Sequence, residues 1–363
     1  MRTHDYLLVG GGIVGACLAE ELARTGASVL VLDAGPAPGH ATRQAAGVAV
    51  PSLRYLGRPA LYDWLCAGRD RLEHDIARLE PGHGAFSVAR PIVRALKPAD
   101  ADAHAERLDR LPATRWAALP ELASLAPGLK LPEERRYLLD PRGLMIDGGR
   151  YLEAVHRSCL SAGVDWRQDT EVRDLTESPE GVTAGTPRGT FAADRAVLTA
   201  GAWAGGRLAP GLPVRPLRGQ LVVLDTPAEL PLIFSSALYL APGIGGGVIV
   251  GATEEDAGFD ERCTAGGIAG LLRFAASAAP ALASAAPREL RAGLRPATTT
   301  GTPLIGRIPG RDRTYVAAGH AGHGLLSARL TAEGLAGALT ADRWDPIPEE
   351  FCPSVTLTAG GTR

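Results

Sequence analysis

The apolar positions of the chain change period several times, and the changes mark out its elements. Tyr6 to Val9 form a short unbroken apolar run, as expected of a strand buried on both faces. From Ile13 to Thr25 apolar residues recur at helical spacing, and Gly26 then stops the helix. "SVLVLD" predicts a second buried strand that ends at Asp33. Farther along, "RYLEAVHRSCLSAG" carries a helical pattern with Gly163 as its stop. Two β-like runs flank "GIGGGV" (Gly243 to Val248), which reads as a hairpin turn. Residues 97 to 136, rich in Ala, Pro and charge, predict surface helices and loops. The Pro- and Gly-punctuated tail from Asp345 predicts partial order at most.

Between the first strand and helix, Gly10, Gly12 and Gly15 give G-x-G-x-x-G. With the second strand and Asp33, this is the complete strand, turn, helix, strand and acid unit of dinucleotide binding. Glycines let the backbone approach a pyrophosphate. The helix start at Ile13 and Val14 offers unpaired N–H groups and a positive dipole end. Asp33 is placed to accept hydrogen bonds from a ribose 2′-hydroxyl, which disfavours a 2′-phosphate and hence NADP. The residues alone leave FAD and NAD open. Only one such unit exists, because "GIGGGV" lacks the spacing.

Composition narrows the class further. The chain has 363 residues, enough for two domains or one large α/β body with an insertion. A net charge of −2 gives no sign of the basic face that nucleic acid or an acidic membrane surface requires. Five scattered cysteines without a C-x-x-C pair argue against a disulfide framework or zinc site, and predict reduced thiols in the cytoplasm. No apolar run is long enough to span a membrane. The apolar start is broken by three glycines, which argues against a signal peptide.

Past Asp33, "GHATRQAAGVAVP" resembles the second flavin contact of the glycine oxidase and D-amino-acid oxidase family. Other segments match in the family's order: "DTEVRDL", "AVLTAGAWAGGRL", "RPLRGQLVVLD", "ALYLAPGIGGGVIVGATEEDAGFD", "AGLRPATTTGTPLIGRIPG" and "YVAAGHAGHGLLSA". The resemblance implies an α/β fold with a discontinuous Rossmann-like FAD-binding domain (1–50, 144–212 and 298–363). A mixed-sheet α+β substrate domain (51–143 and 213–297) would fill the gaps. It implies one non-covalent FAD, since no cysteine lies near "GLRP" or "HAGHG". Beyond the fingerprint and Asp33, it assigns cofactor contacts to Ala34, to Ala41, Thr42, Ala46, Gly47 and Val48, and to Val172 in an adenine-contacting strand. It also assigns Ala200, Gly201 and Trp203, and then His320, Gly322, Gly324 and Leu325 in a turn between a strand (Thr314 to His320) and a helix (Leu325 to Leu339).

The implied chemistry is oxidation of the C–N bond of an amino acid or secondary amine to an imine, which water hydrolyses. Electrons would pass to oxygen or a quinone-type acceptor. Arg295 would hold the substrate carboxylate bidentately, and Tyr239 would either help it or serve as a core aromatic. His320 and His323 lack a nearby carboxylate or cysteine, so no metal is expected. His323 either faces the substrate or packs beside the flavin. The chain departs from its relatives at Gly322, where glycine oxidases carry arginine, and at Leu326, where sarcosine-type oxidases carry lysine. Leu326 would leave that side of the pocket apolar, and Arg218 is a further candidate facing the flavin. A 2-hydroxy-acid oxidoreductase, with a histidine as base, and a flavin-holding scaffold are the alternatives. Oligomeric state is open.

Overall fold

The structure is a computed structural model that describes residues 3–35, 39–103, 105–109, 111–227 and 230–354. Two eight-stranded sheets organise the described residues. The first runs in the order Leu304–Arg307, Thr314–Ala318, Gly189–Leu198, Thr3–Val9, Val29–Leu32 and Asp165–Arg167. Four of its five pairings along this order are parallel, and the Leu304–Arg307 edge strand is antiparallel. A hairpin of Asp174–Ser178 and Gly181–Thr186 joins the Gly189–Leu198 strand.

Tyr6–Val9 and Val29–Leu32, the apolar runs of two neighbouring strands, are covered on both faces. Tyr6, Leu8, Val29 and Val31 enter one core, beneath the helices Ile13–Arg24, Gly148–Ser161 and Gly324–Ala341. Leu7, Val9, Leu30 and Leu32 enter the opposite core with Leu208, Leu212 and Val316. That alternation is the two-residue period of a strand applied to a doubly wound sheet. Asp147 caps the Gly148–Ser161 helix, accepting the Arg150 N–H at 3.0 Å, and Gly163 beyond it takes a φ of +82°. The Pro59–His83 helix also lies in the first core, along the Gly324–Ala341 helix, and contributes Leu61, Trp64, Leu65, Leu72 and Leu79.

The second sheet runs Ala286–Thr298, Val214–Asp225, Val248–Gly251, Tyr239–Pro242, Ile233–Ser235, Ile92–Leu96, Arg136–Asp140 and Arg115–Ala117. The Ala265–Ala278 helix covers one face through Leu271 and Ala275. The other face meets Val50 and the Leu144–Ile146 strand, which pairs with Ser87–Ala89: Leu221, Val223, Ala241 and Ile249 pack with Val50 and Met145. The expected hairpin at Gly243–Val248 is present, with Gly246 and Gly247 at φ of +86° and +76°.

Several expectations are corrected. Residues 97–136 are not all surface helix and loop, because Arg115–Ala117 is an edge strand and Leu122 and Ala126 are buried in the second sheet's core. The tail does carry buried residues in its first part. Ile347 and Phe351 are buried, and Phe351 meets Trp64 edge-on at 5.4 Å; residues 355–363 lie outside the described residues. Val172 sits in the link before the Asp174–Ser178 strand, with its side chain buried in the second core. The strand before the histidine turn ends at Ala318, because Gly319 turns the chain at φ +82°.

Candidate functional site

The first helix begins at Gly12, an N-cap with no side chain of its own, and its first turn holds no acid. The three fingerprint glycines have different causes. A β-carbon at Gly10 would lie 2.7 Å from the Thr199 carbonyl oxygen, and one at Gly15 would run into the Gly10 carbonyl. Those two are demanded by the crossing of strand and helix. At Gly12 the nearest atom would be the Thr42 hydroxyl at 3.8 Å, so the space above it is open. An open cradle before that helix end fits a pyrophosphate. Thr42 accepts the Ile13 N–H at 3.2 Å and so ties the loop at 40–44 to that end.

Asp33 accepts the Gly11 N–H at 2.5 Å and the Gly35 N–H at 3.0 Å. It therefore shapes the loop around the cradle. Ala34 beside it is exposed. Gly47, at φ +81°, is required by backbone approach, since a β-carbon there would strike the Ile146 carbonyl; Val48 bridges to Met145. Ala41 lies in the short helix His40–Gln44, and Ala46 packs beside Val48. Ala200 precedes the Gly201–Trp203 turn, where Trp203 is 43% exposed and packs on His40 and Phe259. Thr199, which sequence reasoning missed, donates to the Gly10 carbonyl at 2.7 Å and locks the crossing.

The Gly324–Ala341 helix repeats the arrangement. It starts without a side-chain cap and without an acid in its first turn. A β-carbon at Gly322 would meet only Arg295, at 3.9 Å, and one at Gly324 only His320, also at 3.9 Å. Leu325 packs over Gly148, which in turn touches Thr42, so two helix starts and the 40–44 loop converge there.

The two histidines part company. His320 is buried, its Nε2 lying 3.1 Å from the Thr331 hydroxyl, so it faces the helix and not a substrate. His323 is half-buried and meets the Tyr55 ring edge-on at 5.3 Å. Burial pushes the pKa of each down to about 4, assisted at His323 by Arg54 and Arg295. Both imidazoles are neutral at pH 7. Among the described residues no group of three or more possible ligands could hold a metal ion.

A stability consequence follows for His320. Its pKa falls from the ordinary 6.5 to about 4 on folding. Between those values the unfolded chain binds a proton that the native state refuses, so stability rises with pH. The contribution is intact above pH 6.5 and is lost as pH falls towards 4, to a limit on the order of 3 kcal/mol. Urea midpoints measured from pH 7.5 to 4 should fall, and His320→Gln should flatten the slope in that window. An unchanged slope would mean that His320 is not held neutral by burial.

On the second sheet, Arg295 and Tyr239 lie over glycines. A β-carbon at Gly219 would overlap the Arg295 guanidinium, and one at Gly251 would overlap the Tyr239 phenol. Leu217 pairs with Arg295, Leu221 with Gly251, and Gly251 with Tyr239. Residues 217, 219 and 221 therefore share one face, and both side chains rest on it. Arg295 Nη1 donates to the Thr253 carbonyl at 2.9 Å, and no carboxylate pairs with it among the described residues. Burial pushes the Tyr239 hydroxyl up to about 12, which keeps it a neutral donor.

Two expectations fail here. Arg218 does not share the face that carries Arg295 and Tyr239. It is buried, and pairs with Glu255 at 2.5 Å and Asp260 at 3.1 Å, which fastens the 253–264 loop to the sheet's opposite face together with Gln220. Leu326 does not line a pocket, because it is buried in the first core and its backbone packs on Gly68. The apolar wall it was expected to provide is absent.

A dinucleotide cradle between helix starts, facing a sheet floor that carries one guanidinium and one phenol, defines an oxidoreductase of the flavin-dependent kind. The chain belongs to the family of FAD dependent oxidoreductases (DAO), which matches residues 5–338. The glycine oxidase of Geobacillus kaustophilus (strain HTA426) is 29% identical over 369 residues, covering 93% of this chain and 92% of that protein. A crystal structure of glycine oxidase from Geobacillus kaustophilus is similar with a TM-score of 0.90 at 27% identity, covering 98% of this chain and 99% of that one. A crystal structure of iminodiacetate oxidase from Chelativorans sp. BNC1 has a TM-score of 0.85 at 28% identity, covering 96% and 98%. Among the described residues no helix is long and apolar enough to cross a membrane.

Proposed function

We propose that this FAD-dependent enzyme oxidises the C–N bond of a small amino or imino acid, with the substrate carboxylate held by Arg295 and Tyr239. The observation that carries the reading is the unpaired Arg295 guanidinium, resting on Gly219 opposite the open Gly322 turn. A planar fork holds a carboxylate by two parallel bonds and fixes the attached α-carbon, and the neutral Tyr239 hydroxyl donates a third. FAD, bound non-covalently, supplies the acceptor for the hydride equivalent lost from the α-carbon. The substrate nitrogen gives up its proton, and water splits the imine to a keto acid and ammonia or an amine. Oxygen or a quinone-type compound takes the electrons onward.

The histidines weigh against the hydroxy-acid alternative. Removing a hydroxyl proton calls for a base. His320 faces Thr331, and the cations Arg54 and Arg295 beside His323 disfavour a further positive charge there. Positioning suffices for an amine whose nitrogen is already unprotonated.

The test is anaerobic mixing of the yellow holoenzyme with glycine, sarcosine, D- and L-amino acids and matched 2-hydroxy acids. Bleaching by at least one amino or imino acid is expected. Bleaching by hydroxy acids alone would move the enzyme to the second class, and bleaching by none would leave a scaffold.

A further inference from the structure

With Gly322 in the turn and Leu326 in the core, relatives' second cation has no counterpart at those positions. The structure supplies a different one. Arg54 lies in the 3-10 turn Leu53–Tyr55, whose Tyr55 meets His323 edge-on at 5.3 Å. That contact sets the turn against residues 321–323, on which Arg295 also borders. Arg54 and Arg295 are held by adjacent residues of one loop: Arg54 Nη1 lies 3.0 Å from the Glu254 carboxylate, and Arg295 Nη1 lies 2.9 Å from the Thr253 carbonyl. Both guanidinia also act on the His323 imidazole.

The Arg54–Glu254 pair has the character of a replaceable contact. Its side chains are 58% and 45% exposed. Exposed pairs of this kind contribute little, so a substrate carboxylate can exchange with Glu254 at small cost. Arg295, by comparison, has no carboxylate to displace among the described residues.

We propose that Arg54 reads a second carboxylate on the substrate, so that the preferred class is a diacid. One carboxylate lies on Arg295, and the other is carried on the amine substituent or on the α side chain. The inference rests on the amino- or imino-acid reading above. In the free enzyme Glu254 occupies Arg54, and it also repels an incoming second carboxylate until it swings aside.

Matched pairs on the holoenzyme test this: sarcosine against iminodiacetate, and D- and L-alanine against D- and L-aspartate. In at least one pair the wild-type kcat/KM should favour the diacid tenfold or more, and the pair that does so shows where the second carboxylate sits. Arg54→Gln should lower that diacid-to-monoacid ratio at least tenfold, and Arg54→Lys should keep part of it. Glu254→Gln should raise the ratio by lowering the diacid KM. Ratios at or below one in every pair, or a ratio that Arg54→Gln leaves in place, overturn the proposal. If monoacids reduce the flavin while the ratio stays fixed, this inference alone fails. If no amino or imino acid reduces it, the underlying reading fails as well.

Discussion

Replacing Arg295 by Met should slow flavin reduction by amino and imino acids by about 3–5 kcal/mol in apparent transition-state stabilisation. The loss is large because the substrate carboxylate would then sit in the site without its fork. Amines without a carboxylate should lose far less, so the ratio between matched acid and amine substrates is the quantity to measure by rapid mixing. Equal losses for both would mean that Arg295 supports the fold or the flavin. Gly219→Ala separates position from charge. The new methyl would overlap the guanidinium, which is the far end of a flexible side chain and can shift. The protein should remain folded and yellow, yet its acid substrates should be reduced in rate by an intermediate amount.

Arg329→Met should destabilise the folded protein by about 3–5 kcal/mol, because it strands buried carboxylates. Arg329 is 4% exposed and lies between Glu20 and Asp75, which are 0% and 4% exposed. Its Nη2 is 2.5 Å from Glu20 and 2.8 Å from Asp75, and its Nη1 is 2.7 Å from Glu21. Arg78 and Arg24 support the same acids from the rim, Tyr151 donates to Asp75 at 2.6 Å, and Ser158 donates to Glu20. Four helices meet at this network: 13–24, 59–83, 148–161 and 324–341. Both buried carboxyls are held below their usual range, with Arg329 the main favourable neighbour against the cost of burial. Urea denaturation of the holoenzyme measures the effect. A change below about 1 kcal/mol, the size of an exposed pair, would show that the network is not desolvated. Adding Glu20→Gln and Asp75→Asn to Arg329→Met should recover much of the loss, since the stranded charges are then gone.

The parts of this molecule legible in the sequence are those with local causes. The run from Tyr6 to Asp33 carries its own strand, turn, helix and strand signals, and the structure has each of them. Gly163, the Gly243–Val248 turn and the helix after Gly324 are likewise set by residues within a few positions. What escaped depends on distant partners. Arg115–Ala117 is a strand because Tyr137, Leu138 and Leu139 pair with it, and three residues carry too little pattern to announce that. Phe351 is ordered by Trp64, nearly three hundred positions earlier. The resemblance puts Leu326 at a pocket position and makes Arg218 a candidate facing the flavin, but helix phase turns one into the core and strand alternation turns the other to the far face. Arg54 gave no signal at all, because its place beside the histidine turn exists only once the 53–55 turn packs against His323.

The glycines under Arg295 and Tyr239 have a consequence for redesign. Each is a seat moulded to the side chain above it, and neither position needs to touch a substrate for its identity to matter. Filling a seat moves its occupant without altering any charge. Under the proposed role of Arg295 and Tyr239, acid recognition would be retuned from beneath, by steric means, at positions that a search confined to substrate-contacting residues would pass over.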